Sequence, residues 1–235
     1  MVSDDLPGGP IANRPLRFFW VIDVSGSMVG DKIGQLNYAI REALPAMRDT
    51  ADGNPHSAVE VKVLTFGTGT RWVTPAPVPL EKFKWTDVAP NGLTDMGAAM
   101  KEMAKKLSIA NMPERSLPPV VVLVTDGQPT DDFESGLKDL MAERWGQKSI
   151  RIGIAVGADA DRDVIRKFIG MSEMEPLDAR NSADLVRYIR WVSTEVLKAA
   201  SSPASRPLGS QSDALAPMDI LPPAPPPIAG VPNVW

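Results

Sequence analysis

The sequence predicts an α/β fold: a doubly wound, mostly parallel sheet with helices on both faces and one short antiparallel edge strand. Three observations lead there. Two unbroken apolar runs, Phe18-Phe19-Trp20-Val21-Ile22 and Val120-Val121-Val122-Leu123-Val124, read as strands buried on both faces. Strand and helix signals alternate along the chain, as a parallel sheet covered on both sides requires. Each run ends in an acid among hydroxyls and glycine, Asp23-Val24-Ser25-Gly26-Ser27 and Thr125-Asp126-Gly127, placing oxygen ligands where open α/β sheets bind.

Taken in order, residues 1–14 are polar, with Pro7, Gly8, Gly9 and Pro10. They read as a disordered lead lacking the apolar core of a signal peptide. After the first strand, Ile33, Leu36, Ile40, Ala43, Leu44 and Met47 recur at helical spacing and predict an amphipathic helix over 31–48, then a turn-rich break at 50–55. Val59, Val61, Val63 and Thr65 alternate with Glu60, Lys62 and Leu64, the period of a strand with a more exposed face, away from the sheet centre. Gly67-Thr68-Gly69 is a tight turn, after which 71–74 pairs back as the antiparallel strand. Residues 75–92 form a loop carrying Pro75, Pro77, Pro79 and Pro90, with one helical turn near 80–83; loops this long are often functional.

A second helix begins at Thr94 and is carried by Met96, Ala99, Met100, Met103 and Leu107. Beyond the second buried strand, Asp131 and Glu134 form a candidate capping box for a helix whose apolar stripe is Phe133, Leu137, Leu140, Met141 and Trp145. A strand at 150–156, a short helix at 161–169, a short strand at 175–177 and a final helix carried by Leu185, Ile189, Val192 and Val196 complete one domain over 15–199. From residue 200 the composition shifts to proline, serine and alanine, with Pro222-Pro223 and Pro225-Pro226-Pro227. This reads as an extended tail with polyproline II stretches. Ile220, Leu221, Ile228, Val231, Val234 and Trp235 make it a candidate docking segment.

Composition narrows the function classes. A hydrophobic content of 43% is ample for a packed core, and a net charge of −4 without a basic stripe argues against nucleic acid. The absence of cysteine excludes disulfides, thiolate zinc sites and thiol catalysis. No segment approaches the roughly 20 apolar residues of a membrane span. A soluble cytoplasmic protein is expected.

If the two buried strands are neighbours, Asp23 and Asp126 converge with Ser25, Ser27 and Thr94. Hydroxyls, carboxylates and water make an all-oxygen set suited to a hard cation. Mg²⁺ fits best, with Mn²⁺ or Ca²⁺ as alternatives. Few anionic ligands leave such an ion ready for one more carboxylate from outside. The competing role for each residue is local: an acid at a strand end as a turn residue, Ser25 and Ser27 as caps, Thr94 as an N-cap. Capping does not call for an acid after each of two core strands.

Asp23-Val24-Ser25-Gly26-Ser27, Thr94 within Gly92-Leu93-Thr94-Asp95-Met96-Gly97, and Thr125-Asp126-Gly127 together resemble the von Willebrand factor A (VWA) domain. They match the three parts of its metal-ion-dependent adhesion site (MIDAS) in order, spacing and placement. The resemblance spans 15–199 and implies a Rossmann-like sheet with one antiparallel edge strand. It further implies that Ser25 and Ser27 bind the metal directly, Thr94 directly or through water, and Asp23 and Asp126 mostly through water. A partner's Asp or Glu would complete the shell. Leu93 stands where a glycine often precedes the threonine, and should stiffen that loop. Ile22-Asp23-Val24-Ser25-Gly26-Ser27-Met28 and Val124-Thr125-Asp126-Gly127-Gln128-Pro129-Thr130 are most similar to the TerY-type proteins of bacterial tellurite-resistance and stress-response gene clusters. That similarity implies an adaptor with a protein kinase or phosphatase as partner; the zinc module that some relatives carry is not found here.

Catalysis finds little support. The only histidine, His56, falls in a predicted loop, so no base stands beside a serine nucleophile. Gly26, Gly30 and Lys32 only imitate a phosphate-binding loop, because Ile33 follows the lysine. The alternative function is a Mg²⁺-dependent phosphate-processing enzyme using Asp23. Trp72, Phe83 and Trp85 are candidate hydrophobic anchors on the same rim, or packing for the long loop. Asp95, Gln128 and Asp131 either tune the site or cap helices. Trp20, Trp145 and the Met96, Met100 and Met103 stripe are expected in the core.

Overall fold

The first apolar run divides between two hydrophobic layers. In the computed structural model, which describes residues 14–54, 57–201, 221–230 and 232, β1 (Arg14–Asp23) sends Leu16, Phe18, Trp20 and Ile22 to one layer and Phe19 and Val21 to the other. Successive strand side chains point to opposite faces, so a strand covered on both sides needs an unbroken apolar run. Its parallel neighbours are β2 (Ser57–Gly67) and β5 (Val120–Thr125), and beyond β5 lie β6 (Ile150–Val156) and β7 (Leu177–Ala179), also parallel. β3 (Gly69–Trp72) and the two-residue β4 (Val78–Pro79) pair antiparallel with β2. The seven-stranded sheet has the order β3-β2-β1-β5-β6-β7, with β4 beside β2.

The antiparallel strand begins two residues earlier than the predicted 71–74, at Gly69, whose φ of 73° closes the turn immediately. Thr74 still takes part: its hydroxyl accepts the Val63 N–H at 2.8 Å, in place of a backbone carbonyl. The last strand is displaced similarly, to Leu177–Ala179 from 175–177.

Two helical layers cover the sheet. α1 (Asp31–Asp52) extends four residues past the predicted end and packs on the first layer with α6 (Ser182–Trp191), which continues through a π-helical turn (Val192–Val196) into α7 (Leu197–Ser201). α2 (Met96–Lys106), α3 (Phe133–Ala142) and α5 (Arg162–Ile169) cover the second layer, where Met96, Met100 and Met103 are fully buried. Trp20 is core as expected, whereas Trp145 lies on a separate short helix, α4 (Arg144–Lys148), half-buried against the second layer. The proposed capping box is replaced by another arrangement. Asp132, not Asp131, caps α3 by accepting the Ser135 N–H, and Asp131 turns to α2.

The exposed face expected of β2 is also corrected. Glu60 pairs with Arg17 at 2.5 Å, but Lys62 is only 2% exposed, with Nζ 4.0 Å from the Trp72 ring centroid and 3.3 Å from the Pro75 carbonyl. Burial, helped by the charges of Lys106 and Arg17, pushes the Lys62 ammonium down to about 8. For a base whose folded pKa is lowered, the cost is present below that value and is relieved as pH rises toward the 10.5 of the free side chain. Lys62→Met is expected to stabilise the protein at pH 7 by about 1–2 kcal/mol, after screening and the lost cation–π contact are allowed for. Urea melts should show the gain shrinking between pH 8 and 10.5; a gain independent of pH would assign it to added apolar burial instead.

Part of the tail lies on its own domain. Leu221 packs against the first layer, and the Ile228 N–H donates to the buried Asp184 carboxylate at 2.9 Å. The other proposed anchors, Ile220, Val231, Val234 and Trp235, lie outside the described residues, as do 1–13 and His56. Among the described residues no helix is long and apolar enough to cross a membrane.

Candidate metal centre

β1 and β5 are adjacent and parallel, yet their following helices, α1 and α3, pack on opposite layers. Divergent connections open a crevice at the carboxyl ends of the two strands. Ile22 pairs with Val124, so Asp23 and Thr125 end the strands side by side. The Thr125 hydroxyl donates to Asp23 Oδ2 at 2.6 Å, and the Ser25 N–H donates to Oδ1 at 2.7 Å. Asp23 is fully buried. Burial pushes its carboxyl up to about 6, against hydrogen bonding from the Ser25 hydroxyl, the Thr125 hydroxyl and the Ser25 N–H that pulls it down, and the Asp126 charge adds a smaller upward push.

A 3₁₀ turn at Gly26–Met28 follows Ser25 and brings the Ser25 and Ser27 hydroxyl oxygens to 2.9 Å. Ser25 is buried and Ser27 exposed, so the pair runs from the crevice floor to its mouth. Backbone bonds hold the loop before α2 against this turn: Gly26 N–H donates to the Gly92 carbonyl at 2.8 Å, and Asn91 N–H to the Val24 carbonyl. The approach is tight, because a Cβ at Gly26 would lie 3.3 Å from the Gly92 oxygen. Thr94 is buried next to the second acidic loop: its N–H donates to the Thr130 hydroxyl at 3.0 Å, and the Thr130 N–H returns to the Thr94 carbonyl at 2.9 Å.

The local roles weighed for Ser25 and Thr94 are not the ones observed. Ser25 precedes its turn without a side-chain capping bond. At the start of α2, the Asp131 carboxylate takes the Gly97 and Ala98 N–H groups, each at 2.7 Å, which leaves no capping task for the Thr94 hydroxyl. Asp95 accepts the Gly69 N–H at 2.7 Å and so ties α2 to the β3 turn, while Gln128 donates to the Asp159 carbonyl at 3.2 Å.

Asp126 gives the test of whether a cation suits this place. Its Oδ1 is buried without a hydrogen-bond partner, and its Oδ2 lies 3.5 Å from Lys32 Nζ. A buried carboxylate oxygen without a donor carries a desolvation cost that a bound cation removes. Among the described residues no group of three His, Cys, Asp or Glu side chains is placed to hold a metal, so a cation here must draw on hydroxyls. Ser25, Ser27, Thr94, Asp23 and Asp126 provide that mixture, and hard divalent ions accept it.

Of the two readings weighed for Trp72, Phe83 and Trp85, packing is the one observed. Phe83 is buried in the first layer, Trp85 donates to Asn37 of α1 at 3.0 Å, and Trp72 packs on the second layer and donates to Glu102 at 3.2 Å. The exposed apolar groups near the hydroxyls are Val29 and Leu93, 62% and 56% exposed. The signal for them was available in the sequence: each is an aliphatic residue beside a glycine in a loop that carries the hydroxyls, Val29 before Gly30 and Leu93 between Gly92 and Thr94. Beside the Asn91 loop runs a groove of about 400 Å³, lined by Val24, Thr68, Arg71, Asp87 and Asn91 among others.

Comparison with known families matches residues 19–185 to the von Willebrand factor type A domain. Comparison with curated proteins returns no match. Among solved structures, the chain is similar to a von Willebrand factor type A protein from Catenulispora acidiphila (15% identity, TM-score 0.59, covering 78% of this chain and 43% of the other). It is also similar to the pilus adhesin SpaC of Lactobacillus rhamnosus GG in its open conformation (15%, 0.61, 80% and 30%). A third is proximal thread matrix protein 1 of the mussel byssus with a zinc-occupied MIDAS motif (13%, 0.58, 80% and 49%). The chain spans less than half the length of each, and at such identities the likeness shows the fold.

Proposed function

We propose, on the premise that this chain belongs to the von Willebrand factor type A family, that it is a metal-dependent protein-interaction module. In this reading Asp23, Ser25, Ser27, Thr94 and Asp126 hold Mg²⁺. When bound, the ion supplies a coordination position for an Asp or Glu carboxylate of a partner protein. The observation that carries the reading is Asp126 Oδ1, buried without a donor at the carboxyl ends of two adjacent parallel strands whose neighbouring hydroxyls are not spent on capping. The zinc-occupied motif of the mussel protein supports a divalent ion in this type of site.

The chain's own residues divide the work. Asp23 is locked by Ser25 and Thr125 and keeps the Ser25 hydroxyl in position; Thr130 and Asp131 hold the Thr94 loop from the opposite side. Val29 and Leu93 add apolar contact beside a carboxylate, so the fitting partner surface is an acid flanked by aliphatic side chains. Both Asp23 oxygens already accept hydrogen bonds, which disfavours the alternative of a Mg²⁺-dependent phosphate-processing enzyme with Asp23 as its nucleophile.

The likeness of the two acidic loops to TerY-type proteins supports a cytoplasmic adaptor role in a bacterial stress-response assembly, with a kinase or phosphatase as partner. The exposed prolines Pro223 and Pro226 offer that partner a second contact. Affinity purification of the full chain from its source cells tests the proposal. A partner should be retained in Mg²⁺, released by chelator, recovered on adding Mg²⁺ back, and missing with Ser25→Ala. Retention unchanged by both chelator and substitution would overturn it.

A further inference from the structure

Lys32 has no part in the role just assigned, yet its ammonium lies at the site. It occupies the first turn of α1, its side chain is 17% exposed, and its Nζ is 3.5 Å from Asp126 Oδ2. That is an ion pair rather than a close hydrogen bond, made to the same carboxylate whose other oxygen has no partner. In the sequence this lysine belonged only to a failed imitation of a phosphate loop. We propose that Lys32 is a tethered cation that weakens divalent-ion binding at this site and reserves the loaded site for an external carboxylate. The proposal rests on the metal reading above.

The argument is one of charge. Asp23 and Asp126 are the acidic groups of the crevice, and Lys32 is the base paired into it. Asp95 and Asp131 keep their charge, but their oxygens are bonded to backbone N–H groups, of Gly69 and of the start of α2, and the carboxylate that Lys32 pairs with is Asp126. Two carboxylates against a divalent ion come to neutrality. Adding the Lys32 ammonium leaves the loaded site one positive charge in excess, which one carboxylate from a partner cancels. Within a site of low dielectric a charge this close acts strongly on both steps, with opposite sign. It repels the incoming ion and attracts the incoming anion. The coupling between metal and partner comes from the ion's own attraction to the partner's acid; Lys32 sets the balance of the two steps, lowering affinity for the ion and raising affinity for the acid.

The experiment is a calorimetric titration of the full chain with Mn²⁺, for wild type, Lys32→Met and Lys32→Arg. A second titration adds acetate, as a stand-in for a partner carboxylate, to each Mn²⁺-loaded protein. Lys32→Met is expected to bind Mn²⁺ about tenfold more tightly than wild type and to bind acetate several-fold more weakly, while Lys32→Arg stays near wild type in both. The chelated Lys32→Met protein should also melt at a lower temperature than chelated wild type, because Asp126 then loses its only ion pair among the described residues. Equal or weaker Mn²⁺ binding by Lys32→Met, or undiminished acetate binding, overturns the proposal. If neither wild type nor Lys32→Met takes up Mn²⁺, the metal reading beneath it fails instead.

Discussion

Ser25→Ala is expected to reduce divalent-ion affinity by at least the roughly 10–100-fold that losing an outer-shell partner costs, with little change in stability. The two effects separate because Ser25 serves the fold through its backbone and the site through its side chain. Its N–H holds Asp23 Oδ1 at 2.7 Å and survives the substitution. Its hydroxyl meets the Ser27 hydroxyl at 2.9 Å and also favours the Asp23 carboxylate; on its removal Ser27 is exposed enough to turn to water, and Asp23 keeps the Ser25 N–H and the Thr125 hydroxyl. Mn²⁺ titration alongside thermal melts of chelated protein measures both quantities. Unchanged Mn²⁺ binding would remove Ser25 from the ligand set, and a large loss of stability would return it to a structural role.

Gly136→Ala is expected to destabilise the protein by about 2–3 kcal/mol, although alanine is the better helix former by about 1 kcal/mol. A Cβ at Gly136 would lie 2.2 Å from the Gly97 carbonyl oxygen and 2.8 Å from its Cα, and one at Gly97 would lie 2.3 Å from the Asp132 carbonyl oxygen. These obstacles are backbone, so α2 and α3 must move apart. α2 starts just after Thr94 and is capped from the α3 side by Asp131, so the same displacement pulls Thr94 away from the crevice. The expected result is a melting temperature lower by about 5–10 °C for a domain of this size, together with weaker Mn²⁺ binding. Gly34→Ala is the control. It lies within α1 with nothing within 4 Å of its would-be Cβ, and should gain stability by about 0.5–1 kcal/mol. Equal responses at the two positions would show that helix propensity, not interhelical contact, governs both.

The candidate site was legible wherever its proposed residues are local in the chain. Asp23, Ser25 and Ser27 lie within five positions, and the switch from an apolar run to acid and hydroxyl marks a strand end wherever that strand sits in the sheet. Asp131 was assigned to the wrong helix for the opposite reason. Its spacing to Glu134 is a local capping pattern, but its carboxylate reaches across to α2, and only the packing of α2 on α3 makes that the better partner. Lys62 was misplaced likewise: alternation with valines marks an exposed face unless another element, here Trp72 and the second layer, covers it.

From the sequence alone come the α/β class, the two buried strands, the alternation of helices and the five residues proposed to meet. Each follows from apolar periodicity or from chemistry within a few residues, and such signals do not depend on long-range contacts. Tertiary structure decided the rest. It made β1 and β5 neighbours with connections to opposite layers, left Asp126 Oδ1 without a donor, and put Lys32 beside it. It also exposed Val29 and Leu93 while burying Phe83. These depend on which elements pack together, a sum over many weak contacts between residues far apart in the chain, and no local pattern encodes that sum.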